Sequence, residues 1–218
     1  MSLGKKFTII GIAFLAVAFL FTVLVASVDV RPIGPGGSSV GLAGLNSAFA
    51  DAFGVNKVLY GFSEFGGYFA LLTAAAFGAL GVYQLIKRKS LFKVDYCITS
   101  MGVIFIFVAI IYITFDKLAI NYRPILENDG SLEPSFPSSH TLLALCIFIP
   151  AIFAVGRVIR EKRVAFFISI ILAFLAVAVV IFRLFSGVHW LSDMIGGGLY
   201  SLALVFMYLG ANLIYELR

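Results

Sequence analysis

Six apolar runs organise this chain, at residues 7–28, 60–86, 94–115, 139–155, 164–183 and 190–215. Each is long enough to cross a hydrocarbon core of about 30 Å as a helix rising about 1.5 Å per residue. The fourth run is the shortest. The pattern predicts an all-α, polytopic membrane protein with six transmembrane helices in one bundle. It forms a single domain over 1–218. Lys5 and Lys6 ahead of the first run give it the look of a secretion signal. A cleavable apolar region is only about 7–15 residues, so a permanent span is expected instead.

Two connections are longer than the rest. Residues 29–57 begin glycine-rich and then place Leu42, Leu45, Phe49 and Phe53 at helical spacing. That stripe predicts a short helix, either lying on the membrane surface or packed on the bundle. The second, 117–137, carries a turn signal at Glu127-Asn128-Asp129-Gly130. Gly196-Gly197-Gly198 in the last run suits close helix packing. No internal repeat is visible.

Only 12% of the residues are charged, against about a quarter in soluble domains. The net charge of +5 could point to nucleic acid, but the cations form no basic face and no recognition motif. No nucleic-acid partner is expected. The cations sort by side instead. Lys5, Lys6, Lys87, Arg88, Lys89, Lys93, Arg157, Arg160, Lys162, Arg163 and Arg218 fall at one set of connections. Arg31, Lys57, Lys117, Arg123 and Arg183 fall at the other. The positive-inside rule then places both termini in the cytoplasm. Cys97 and Cys146 lie in apolar runs without metal-ligand spacing and read as small core residues.

Three polar clusters interrupt the apolar pattern, all on the predicted outer side. They are Lys117…Arg123-Pro124, Pro137-Ser138-Ser139-His140 and Arg183…His189…Asp193. Both histidines of the chain are among them. With a helix starting near Val188, His189 and Asp193 share one face, four residues apart. The carboxylate would then orient one imidazole nitrogen and leave the other free to attack. A histidine paired with a surface carboxylate is the plainer alternative. Ionisable groups bordering a membrane span are costly, however, and mark function. Ser138 or Ser139 capping the fourth helix would expose backbone N–H groups that bind an anion, with His140 in the first turn as proton donor. Simple capping operates in either case. Arg123 and Arg183 offer planar donors suited to phosphate oxygens. Lys117 either joins them or snorkels at the interface.

These residues resemble the signature of the type 2 phosphatidic acid phosphatases (PAP2), relatives of the vanadium haloperoxidases. That signature reads K-x6-R-P, P-S-G-H and S-R-x5-H-x3-D. The likeness spans 117–193. It departs in three places: Lys117 is one residue nearer Arg123, Ser139 stands for glycine, and Phe182 stands for serine. The shorter spacing turns Lys117 by about 100° on a helix. Ser139 keeps its N–H unless the position requires positive φ.

The resemblance implies that His189 is the nucleophile, Asp193 orients it and His140 is the general acid. It implies that Lys117, Arg123, Ser138, Ser139 and Arg183 bind phosphate, with no metal and no cofactor. The implied activity is hydrolysis of a membrane lipid phosphate at the outer face of the cell membrane, periplasmic or extracellular. Phosphatidate, phosphatidylglycerophosphate and undecaprenyl pyrophosphate all fit as substrates. A lipid phosphotransferase using the same phosphohistidine is an alternative. A non-catalytic transporter or scaffold is another, although transporter charges are expected at the membrane midplane. Glu64, near the outer end of the second run, reads either as a helper of the site or as an interfacial charge.

Overall fold

The computed structural model describes residues 1–126 and 130–217. Six helices are long and apolar enough to cross a membrane. They are α1 (Leu3–Ser27), α3 (Lys57–Arg88), α4 (Tyr96–Leu118), α5 (Ser139–Val158), α6 (Lys162–Phe185) and α7 (Leu191–Tyr215). A shorter helix, α2 (Ala43–Phe53), lies in the first long connection. The boundaries fall within a few residues of the apolar runs, because length and hydropathy alone mark a span. Of the predicted Glu127–Gly130 turn only Gly130 is among the described residues, and Arg218 also lies outside them.

Helices α5 and α7 form the centre, and each is buried over about half its length. Both cysteines are free and buried in this core, as the apolar context predicts. Tyr208 of α7 donates its hydroxyl to the Cys97 carbonyl at 3.0 Å, tying α7 to α4. In lipid no hydrophobic force draws helices together, so close packing must rest on small residues. Helices α1 and α7 show this. Gly4, Gly11, Ala18 and Val25 are the buried positions of α1 at seven-residue spacing. Gly4 abuts Gly210, and Gly11 abuts Ala203, so the two helices run antiparallel with backbones in near contact.

Of the triple glycine in α7, Gly196 receives the Phe136 ring and Gly197 the Ser138–Thr141 turn, while Gly198 faces open space. The first two therefore press the loop that precedes α5 onto α7. Helix α2 docks on the start of α7 through its buried Asn46. Leu45 and Phe53 remain exposed. The beginnings of α3, α5 and α7 and the ends of α4 and α6 gather at one end of the bundle. Most cations lie at the other.

Candidate active site

The turn that opens α7 sets the position of His189. Asp193 accepts the Trp190 N–H at 3.0 Å through Oδ2 and so caps the helix from within its own first turn. The helix therefore starts at Leu191, and His189 stands ahead of it rather than on its face. This corrects the expectation of a shared helical face. The pair still meets: His189 Nδ1 lies 3.5 Å from Asp193 Oδ2. Asp193 is held on its other oxygen by Asn121 Nδ2 at 2.9 Å. Its backbone carbonyl accepts the Ser138 N–H at 3.0 Å, which locks the α7 turn to the α5 turn.

Between Arg183 and His189 the chain must leave α6 and double back. Gly187 takes φ +71° and lies against the Gly54 carbonyl, where a Cβ has no room. Asn56 N–H donates to the Ser186 carbonyl at 2.9 Å and braces the same turn.

Ser138 caps α5 by accepting the Thr141 N–H at 3.4 Å, and its hydroxyl also meets Thr141 Oγ1 at 3.1 Å. The Ser138 hydroxyl and amide are thus committed to structure. The orphan donors of this helix start are the amides of Ser139 and His140. Ser139 lines a cavity of about 130 Å³ together with Arg123, Pro137 and His189. Arg123 also pairs with Glu133 at 3.0 Å, at the rim of that cavity.

Arg183 is fully buried at the end of α6. Its Nη1 donates to Glu64 Oε1 at 2.6 Å and to Ser63 Oγ at 3.2 Å, and its guanidinium stands over the Tyr60 ring. The same Glu64 oxygen lies 3.2 Å from His140 Nε2. Glu64 is therefore part of the cluster and not a lone interfacial charge.

Several nitrogens of this cluster are buried without a hydrogen-bond partner among the described residues. They are His140 Nδ1, Arg183 Nε and Nη2, and both ring nitrogens of His189. Burial holds His189 well below the ordinary imidazole value of 6.5. The charges of Arg183, Arg123 and His140 push the same way, against an opposing contact with the Ser135 main chain. His189 is thus a neutral base ringed by cations.

The sequence-predicted residues do not all converge. Lys117 sits on an exposed part of α4 and does not line the cavity, whereas its neighbour Asp116 does. The shortened spacing turned lysine outward. Phe182 packs its ring on Phe62, centroids 5.7 Å apart, on a face where a serine would have offered a hydroxyl. Asn121, Asn46 and Ser192 were not foreseen. Asn46 Nδ2 donates to Ser192 Oγ at 2.9 Å, and Asn46 Oδ1 accepts the Ser192 N–H at 3.0 Å. Asn121 donates to Ser192 Oγ at 3.2 Å as well as to Asp193. Asn121 stands two residues before Arg123 and Ser192 directly before Asp193, which was the available signal. Asn46 offered only a polar position in the apolar stripe of α2.

A second, apolar cavity of about 440 Å³ opens between α3, α4 and α5. Tyr112, Ser139 and Leu142 line both cavities, so the polar site and the apolar groove share a wall.

Fold and site together define a helical integral-membrane protein with a buried His189 and a half-buried His140 among arginines at one end of its bundle. Residues 99–213 match the model of the PAP2 superfamily, and the chain belongs to that family. Among solved structures it is similar to a transmembrane PAP2-type phosphatidylglycerolphosphate phosphatase from Bacillus subtilis. The two are 18% identical, with a TM-score of 0.64, over 96% of this chain and 98% of the other. That likeness establishes the shared fold. None of the curated proteins matches the chain.

Proposed function

We propose that this protein is an integral-membrane lipid phosphatase, hydrolysing a phosphomonoester or pyrophosphate of a membrane lipid through a phosphohistidine on His189. One observation carries the reading: His189, whose ring nitrogens are buried and unpartnered among the described residues, lines a polar cavity that shares a wall with an apolar groove, and it lies within the field of Arg183 and His140, which also carry unpartnered buried nitrogens. An anionic headgroup with a hydrocarbon tail matches both halves.

The His189 Nε2 lone pair attacks phosphorus while Asp193 lies against Nδ1. An N–P bond forms, the P–O bond to the lipid breaks, and the departing oxygen takes a proton from His140. Arg123, Arg183 and the amides of Ser139 and His140 hold the charge that spreads over the phosphoryl oxygens. Water then attacks phosphorus, surrendering a proton to His140, and the N–P electron pair returns to His189. Lys117 lies too far out on α4 to carry a first share in this set. The charge asymmetry of the connections supports cytoplasmic termini and an outward-facing site.

The test is phosphate release from a panel of lipid phosphates in detergent, with a chelator present. Phosphatidylglycerophosphate leads the panel because a protein of the same fold is described as acting on it. Phosphatidate and an isoprenoid pyrophosphate complete it. Release by the native chain and its loss in folded His189→Ala is the expected outcome. Undiminished release by that variant removes the mechanism.

A further inference from the structure

We infer that Glu64 is the positioning residue of His140, holding its Nε2 edge so that Nδ1 faces the leaving-group oxygen; the inference rests on the phosphatase reading above. Three contacts carry it. Glu64 Oε1 lies 3.2 Å from His140 Nε2. The same oxygen receives Arg183 Nη1 at 2.6 Å, which fixes the carboxylate. The opposite ring nitrogen, His140 Nδ1, is buried and has no partner among the described residues.

Gly67, one turn along α3 from Glu64, leaves room for the ring. A Cβ there would stand 2.9 Å from His140 Cδ2. Helix α3 thus supplies both the anchor and the space for a histidine on α5. The two histidines of the site are each backed by a carboxylate, Asp193 for His189 and Glu64 for His140. A carboxylate on Nε2 favours the proton there and stabilises the doubly protonated ring, whose Nδ1–H is the one delivered to the departing oxygen.

A proton donor matters most when the leaving group is a poor one. An alkyl phosphate, whose alkoxide is strongly basic, needs protonation as the P–O bond breaks, whereas an aryl phosphate departs more readily unaided. Glu64→Gln keeps the side-chain shape and removes the charge. It is expected to lower kcat at least tenfold more on a short-chain alkyl phosphate than on an aryl phosphate of similar size. Any weakening through Arg183 should appear as a rise in KM common to both substrates. In a His140→Ala background the same exchange should change alkyl-phosphate kcat by less than about threefold, because a shared step is lost only once.

Equal losses of kcat on the two substrates, or no loss on either, would overturn the assignment. Nitrogen-15 spectra of His140 in the unaltered protein check it without any variant. A protonated Nε2 and a titrating Nδ1 are expected, and the reverse tautomer overturns it. A native chain that releases phosphate neither from these two substrates nor from the lipid panel overturns the phosphatase reading and this inference with it. A skewless Glu64→Gln in an active enzyme overturns the inference alone.

Discussion

Asn121 and Asp193, separated by 72 positions in the chain, meet at 2.9 Å between Nδ2 and Oδ1 in a fully buried setting. Asn121 also accepts the Gly41 N–H at 3.0 Å through its own oxygen. One amide thus joins the first long connection, the segment after α4 and the carboxylate behind His189. Asp193 reaches its position because three backbones are fastened around it, not through helical spacing alone.

Asn121→Ala is therefore expected to reduce both stability and turnover. It leaves a buried carboxylate oxygen and the Gly41 amide without partners, and each loss costs about 1–3 kcal/mol. Thermal unfolding in detergent should shift downward, with phosphate release falling more than tenfold. Asn121→Asp is predicted to be worse, since it sets two buried carboxyl groups against each other. A variant with native turnover would show that Asp193 is held without Asn121.

The depressed basicity of His189 fixes the sign of a pH effect. In the folded protein the imidazolium is disfavoured by burial and by neighbouring cations. In the unfolded chain it protonates near the ordinary 6.5. Below that value the unfolded state binds more protons, so stability declines as pH falls and is fully present above it. Replacing His189 by Gln removes this contribution. The melting temperature of the native protein should fall more steeply from pH 7.5 to 5.5 than that of the variant. A native His189 that protonates at or above 6.5, read by nitrogen-15 shifts, would contradict the predicted sign.

The helices and the charged members of the site were largely legible in the sequence, and for different reasons. Spans announce themselves because a membrane tolerates few polar residues over about 20 positions. Charged residues at span ends stand out against that background, which is how His140, Arg183, His189 and Asp193 are found. Asn121, Asn46 and Ser192 lack such contrast. They are uncharged, Asn121 in a connection and Asn46 and Ser192 within α2 and α7, and the bonds that join them span 71 and 146 positions. Glu64 was visible as a charge, but its bond to Arg183 spans 119 positions, which no local pattern encodes. Helical spacing even misled at His189, because the Asp193 cap starts α7 two residues beyond it.

Gly67 gives a steric test of the same cluster. A Cβ there would stand 3.0 Å from His140 Nε2, closer than ordinary van der Waals contact. Gly67→Ala is expected to displace the ring and cut turnover more than tenfold while the bundle still folds. Gly78, on the same helix, has open space where a Cβ would stand. Gly78→Ala should leave activity intact and raise stability slightly, since glycine inside a helix is disfavoured by about 0.5–1 kcal/mol relative to alanine. Similar activity in the two variants would show that the space beside His140 is not needed.

Lys117 and Arg123 separate the part of the signature that the structure uses from the part it turns away. Arg123 is nearly buried, lines the polar cavity and adds its charge to the field at His189. Lys117 is exposed on α4, with no hydrogen bond or ion pair among the described residues. Removing one preorganised donor from a phosphoryl-transfer site costs about 10²–10³ in turnover. Arg123→Ala is expected to show a loss of that order, and Arg123→Lys to recover little because a single ammonium cannot offer two parallel donors. Lys117→Ala should stay within about threefold of native, the scale of a screened charge at the surface. Measured side by side with saturating substrate, losses of equal size would mean that Lys117 swings into the cavity when the lipid headgroup binds.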